Sequence, residues 1–118
     1  MSDQRKEETS KPWGSYKVLY RDTGFCVKHI EVKPGERLSL QRHLRRAEEW
    51  IITRGEGLVR ISDEKRRVTS GDTIRIDVEQ VHRIENVGNE MLVFVEVSLG
   101  DYIEEDDIER IEDDYNRA

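Results

Sequence analysis

One cysteine, two prolines and three histidines in 118 residues make a short inventory, and each scarcity excludes something. Cys26 alone can form no internal disulfide and no cysteine-cluster metal site, so its expected role is a buried structural thiol. No apolar run approaches the roughly 20 residues that a membrane span needs. Met1 to Ser10 is charged where a signal peptide requires an apolar stretch, so the expectation is a cytoplasmic protein without a membrane partner. A basic field is missing as well. The formal net charge is -6, much of the acid lies between Asp101 and Asp114, and nucleic acid is not an expected partner.

Apolar residues make up only 35% of the chain against 39% charged, which would imply disorder if they were scattered. They gather instead into short runs of alternating or β-branched character: Ser15 to Tyr20, Phe25 to Val32, Arg37 to His43, Glu48 to Arg54, Gly57 to Ser62, Arg67 to Thr69, Thr73 to Asp77, His82 to Asn86 and Met91 to Val97. Turn-forming residues separate them, as at Pro34-Gly35 and Arg54-Gly55-Glu56-Gly57. Many short strands in one domain-sized chain predict an all-β sandwich, jelly roll or small barrel, whose sheets close or stack to hide their edges. Residues 1–11 are polar and aperiodic and are expected to form a flexible arm, with the β domain over 12–100 and an acidic tail over 101–118 packed on it. Within the tail, Ile108 and Ile111 lie three apart among acids, a spacing that predicts a short amphipathic helix over Glu104 to Tyr115.

Strand geometry sorts the few residues able to do chemistry. Side chains two apart share a face, so Gln41 and His43 point to one side of their strand. Glu48 shares a face with Trp50 and Ile52, where a carboxylate is costly unless a cation neutralises it, and a metal ion is one such cation. His82 faces inward with Ile84 and Asn86, while Arg83 and Glu85 point out. His29 is read as an ordinary strand histidine.

These residues fall into two blocks, Gly35-x5-Gln41-x-His43-x4-Glu48-x6-Gly55 and Gly71-x10-His82-x3-Asn86, whose spacing resembles the two motifs of the cupins. That resemblance implies a double-stranded β-helix (cupin/jelly-roll) barrel closed by the short C-terminal helix, with Gln41, His43, Glu48 and His82 as metal ligands. An amide, two imidazoles and a carboxylate suit a divalent ion, with zinc the first expectation and manganese, cobalt, nickel or iron also compatible. The second block carries Asp77 and Glu79 where cupins usually have proline and glycine, so its turn is expected to be made differently.

Lys11-Pro12-Trp13-Gly14, Leu38-Ser39-Leu40-Gln41 and the stretch Gly100 to Arg117 resemble one branch, the type II phosphomannose isomerase domains that are often fused to a mannose-1-phosphate guanylyltransferase. The resemblance implies a metal-dependent interconversion of mannose 6-phosphate and fructose 6-phosphate, in which Lys28 binds substrate or moves a proton, Arg46 binds substrate, and Arg110 and Arg117 serve the phosphate in catalysis. Forked guanidinium donors suit that group. The branch reads Gln-x-His-His-His-Arg-Ser-Glu-His-Trp where this chain has Gln41-Arg42-His43-Leu44-Arg45-Arg46-Ala47-Glu48-Glu49-Trp50, so three flanking histidines are replaced. A non-catalytic metal-binding module that holds a sugar or sugar phosphate is therefore the alternative, and an iron oxygenase the third reading. Open sheet edges and faces lead to the expectation of a homodimer.

Overall fold

Alternation is strictest between Phe25 and Val32, where Cys26, Lys28, Ile30 and Val32 are buried and every residue between them is half-exposed. The same period-two pattern organises the whole chain in a computed structural model that describes residues 8–116. The strands are β1 (Glu8–Lys11), β2 (Gly14–Asp22), β3 (Phe25–Val32), β4 (Leu40–Arg42), β5 (Arg46–Arg54), β6 (Glu56–Ile61), β7 (Glu64–Thr69), β8 (Thr73–Ile76), β9 (His82–Asn86), β10 (Leu92–Gly100) and β11 (Glu109–Glu112). They form a six-stranded sheet, β1-β2-β3-β10-β5-β8, and a five-stranded sheet, β11-β4-β9-β6-β7. Every strand pairing is antiparallel. This is the double-stranded β-helix architecture, and no helix is present among the described residues, hence none long and apolar enough to cross a membrane.

The inner faces of the two sheets meet in one core. Ile30, Val32, Ile52 and Phe94 from the first pack with Val59, Val68 and Ile84 from the second, and the rings of Trp50 and Phe94 lie 4.8 Å apart. Register sets which inward residues are neighbours: Phe94 stands between Ile30 and Ile52, and two residues on, Glu96 stands between Lys28 and Trp50. One end of the barrel interior is consequently apolar and the other polar. Cys26 is fully buried and unpaired.

Two expectations about the ends of the chain need correction. The tail forms no helix: Ile108 turns toward the barrel while Ile111 is 46% exposed, so the pair makes no common apolar face, and Glu109–Glu112 instead pairs with the open edge of β4 as β11. The supposed flexible arm is in part a strand, since Glu8–Lys11 pairs with Gly14–Lys17; residues 1–7 lie outside the described residues.

The turn before β9 is made with Glu79 in the left-handed region, at φ 67. Its amide donates to the His43 carbonyl at 2.7 Å, and the Asp77 amide donates to Gln80 Oε1 at 3.0 Å. Glutamate thus adopts the conformation that glycine reaches without steric cost. Gly55 is fixed more tightly, because at φ 85 a Cβ would come within 2.7 Å of the Met91 carbonyl oxygen.

Glu79→Gly is expected to raise stability by about 0.5–1 kcal/mol, the relief of left-handed strain less the entropy glycine adds to the unfolded chain. Phe94→Ala should remove about 3–5 kcal/mol by opening a cavity beside Trp50. Denaturant midpoints at constant slope check both, and a destabilised Glu79→Gly protein would mean that the side chain at 79 contributes more than its strain costs.

Candidate metal and anion site

At the polar end of the barrel, β5 and the loop before it contribute His43, Arg46 and Glu48, and β9 contributes His82. One ligand atom from each of His43, Glu48 and His82 lies within 4.8 Å of the others, and all three side chains are buried. Gln41 is the register partner of His82 across the β4–β9 pair, so the two side chains emerge side by side on the inner face. Its Oε1 accepts a hydrogen bond from Ser39 Oγ at 3.0 Å.

Backbone carbonyls orient both imidazoles. His43 Nδ1 lies 2.5 Å from the Asp107 carbonyl oxygen and His82 Nδ1 lies 2.9 Å from that of Gln80, so each Nδ1 carries the proton and donates. Burial pushes the His82 imidazole below its ordinary pKa, which keeps it neutral. Both Nε2 atoms then face Glu48, 3.2 Å from His43 and 3.9 Å from His82. His82 Nε2 is buried without a hydrogen-bond partner. Lone pairs facing a carboxylate at these distances repel unless a proton or a cation lies between them. Two imidazoles fixed by backbone acceptors, with a carboxylate between, form a donor set able to hold a divalent ion.

Arg46 supplies positive charge beside them, donating from Nε to Glu48 Oε2 at 3.0 Å and from Nη2 to His43 Nε2 at 3.3 Å. Burial pushes the carboxyl of Glu48 up, but its positive surroundings, with Arg46 donating directly to it, outweigh burial and hold the group well below the usual carboxylate range.

Above this cluster opens a pocket lined in part by Lys28, Gln41, His43, Arg46, Glu96 and Arg110. Lys28 is 4% exposed, with its ammonium 4.6 Å from the Tyr16 ring centroid and 2.5 Å from Glu105 Oε2, which makes it an interior residue and not a surface one. Arg110 turns inward opposite Gln41, and its Nε, like Nη1 of Arg46, is buried without a hydrogen-bond partner. Arg117 lies outside the described residues.

Two acids escaped the sequence reading. Glu96 is 5% exposed, and burial, then the charge of Glu48, pushes it up to about 8. Its signal was present, since it interrupts an apolar strand at the parity of Leu92 and Phe94. Glu105 carried none, because its contact with Lys28 joins residues 77 apart in sequence. The three replaced histidine positions, by contrast, face away: Leu44 is 51% exposed, Arg45 pairs with Asp101 and Glu49 with Arg75. None of the three lines the pocket.

Residues 2–113 match the family described as mannose-6-phosphate isomerase C-terminal. The chain belongs to that family. It is 46% identical over 111 residues to the alginate biosynthesis protein AlgA of Pseudomonas aeruginosa and 41% identical over 111 residues to the mannose-1-phosphate guanylyltransferase ManC of Salmonella typhimurium. Each match covers 94% of this chain and 23% of the relative, so the chain spans about a quarter of the length of these proteins. The oxalate decarboxylase of Lactobacillus farciminis, at 18% identity, superposes with a TM-score of 0.78 over 90% of this chain and 33% of that one, which shows a shared cupin fold.

The ionisation of Glu96 sets a pH signature in metal-free protein. Its folded pKa of about 8 lies above the ordinary 4.5, so between these values the folded state holds a proton that the unfolded chain has lost. This contribution to stability is complete below about pH 4.5 and declines until the pH has passed 8. His82, whose lowered pKa adds stability as pH rises toward its ordinary value, is common to both proteins, so the melting temperature of Glu96→Gln relative to wild type should rise from pH 5 to 8. Parallel pH profiles in the two proteins would refute the assignment.

Proposed function

We propose that the chain is a metal-dependent aldose–ketose isomerase that interconverts mannose 6-phosphate and fructose 6-phosphate. The observation that carries this reading is one pocket that reaches the His43–Glu48–His82 cluster through His43 and is lined by Lys28, Arg46 and Arg110, the last two each with a buried donor lacking a hydrogen-bond partner. Membership of the family and the mannose phosphate in the name of ManC agree with it.

Gln41, His43, Glu48 and His82 would hold the ion, zinc by first expectation. When bound, a divalent ion at this position polarises the substrate carbonyl and stabilises negative charge on the sugar oxygens. The remaining work falls to side chains. Lys28, Arg46 and Arg110 offer charged donors to the phosphate, and Arg117 would join them. In the direction of fructose 6-phosphate, isomerisation requires one proton to leave C2 and one to arrive at C1, while one leaves the oxygen on C2 and one arrives at the oxygen on C1. Glu96, titrating near neutrality, is suited to take and return the carbon-bound proton, while Lys28, its register partner, is suited to bind or protonate oxygen. A cytoplasmic location and a homodimer belong to the same reading, and the exposed Ile51 and Leu99 on the outer face of the six-stranded sheet suit a pairing surface.

A non-catalytic metal-binding module is the competing reading, and the outward direction of positions 44, 45 and 49 favours the isomerase over it. A coupled assay on protein stripped of metal and reloaded with zinc, manganese, cobalt, nickel or iron decides between them. Turnover should appear with metal and fall on the order of 100-fold or more in His82→Ala. Confirmed metal occupancy without turnover for any ion would transfer the assignment to the binding module.

A further inference from the structure

The segment between β10 and β11 crosses the mouth of the pocket as a strap held at several points. Arg45 pairs with Asp101 at 3.1 Å and lies 4.7 Å over the Tyr102 ring, Arg21 pairs with Glu104 at 2.9 Å, and the carboxylate of Asp107 accepts the amides of Leu44 and Arg45 at 2.9 and 3.0 Å. Between these anchors Glu105 reaches inward. Its Oε2 lies 2.5 Å from Lys28 Nζ and 3.8 Å from Arg46 Nη1. The partners differ greatly in environment: the side chains of Lys28 and Arg46 are 5% and 6% exposed, that of Glu105 is 54% exposed.

Buried Lys28 is thus paired with a carboxylate that remains half in water, and the same carboxylate stands within ion-pair distance of Arg46, whose Nε is held by Glu48. On the side of Glu105 that contact is cheap to reverse, since its half-exposed carboxylate is screened by water, whereas the buried cations always need an anion. The carboxylate is also an incomplete partner. It leaves Nη1 of Arg46 and Nε of Arg110 without hydrogen bonds in the same pocket. A phosphate dianion carries more charge and a third free oxygen, enough acceptors for Lys28, Arg46 and Arg110 together.

We infer that Glu105 is a built-in competitor for the anion subsite formed by Lys28, Arg46 and Arg110, displaced by a phosphoryl group and not by an uncharged sugar. Resting on the isomerase reading for its substrate class, this makes Glu105 a determinant of specificity. A neutral hexose offers nothing that replaces the carboxylate on Lys28, while a hexose phosphate exchanges one anion for a better one.

The test is calorimetric titration of inorganic phosphate into the 118-residue protein, metal-loaded and again after chelation so that an ion cannot be the phosphate's ligand. Glu105→Gln removes the competing charge at nearly constant shape, and Glu104→Gln removes the same charge one residue away, where the partner is Arg21 outside the pocket. Glu105→Gln is expected to bind phosphate about tenfold tighter than wild type and Glu104→Gln to match wild type. Equal or weaker binding by Glu105→Gln would overturn the inference, as would equal tightening by both variants, which would mark a general charge effect. The outcome is separable from that of the isomerase assay. Tightening without turnover leaves the strap intact and removes the isomerase, and turnover without tightening does the reverse.

Discussion

Glu48 is an ionised carboxylate with 1% exposure between two packed sheets, and the polar end of the molecule is arranged around that fact. Leaving such a group unpaired in the interior costs several kcal/mol. The chain meets part of the cost with Arg46 from the same strand, and two imidazoles whose Nδ1 protons are fixed on the far side by the carbonyls of Asp107 and Gln80 turn their other nitrogens toward the carboxylate, where a cation would complete the balance. The fixing carbonyls belong to the tail strap and the β8–β9 turn, so ring orientation depends on segments outside the sheets. Glu79 tolerates a left-handed backbone in that turn, one residue from the carbonyl that holds His82.

The barrel interior is divided along its length. On β3 and β10 successive inward residues change from aliphatic or aromatic to charged at matching register positions, Ile30 to Lys28 and Phe94 to Glu96, and on β5 the change comes one inward position later, from Trp50 opposite Glu96 to Glu48 opposite Ser98. Antiparallel pairing makes this a collective property, because a shift of one residue in any pair would turn its polar side chains to solvent and leave the others unmatched. The apolar end supplies cohesion, and the polar end inherits rigidity from it through continuous strands. Ionised groups can then be held close together without collapsing onto water.

Much of this was legible in the sequence because β structure writes itself in period two. Gln41 beside His43, Glu48 with Trp50 and His82 with Ile84 all take the faces their parity assigns. The elements that were misread depend on what lies next to them in space. The tail reads as helix by the spacing of Ile108 and Ile111, yet the open edge of β4 offers it hydrogen bonds that a short, isolated helix in water cannot match. β1 is of the same kind, a polar segment ordered by the edge of β2. Glu105 needed knowledge of the strap's path, which no local pattern carries. Glu96 was different, for its parity placed it inside, but an acid within an apolar run was taken as part of the run.

Parity also decides what the replaced histidines mean. Glu49 sits on the outer face of β5, and Leu44 and Arg45 lie in the loop whose amides are held by Asp107, so substitution at these positions leaves the inward constellation untouched. Position 45 alone reaches the strap through its side chain. Arg45 now anchors Asp101 and Tyr102, at the start of the segment that delivers Glu105 to Lys28. The side chains of Leu44, exposed to solvent, and of Glu49, paired with Arg75 on the outer face, leave both the strap and the inward groups alone.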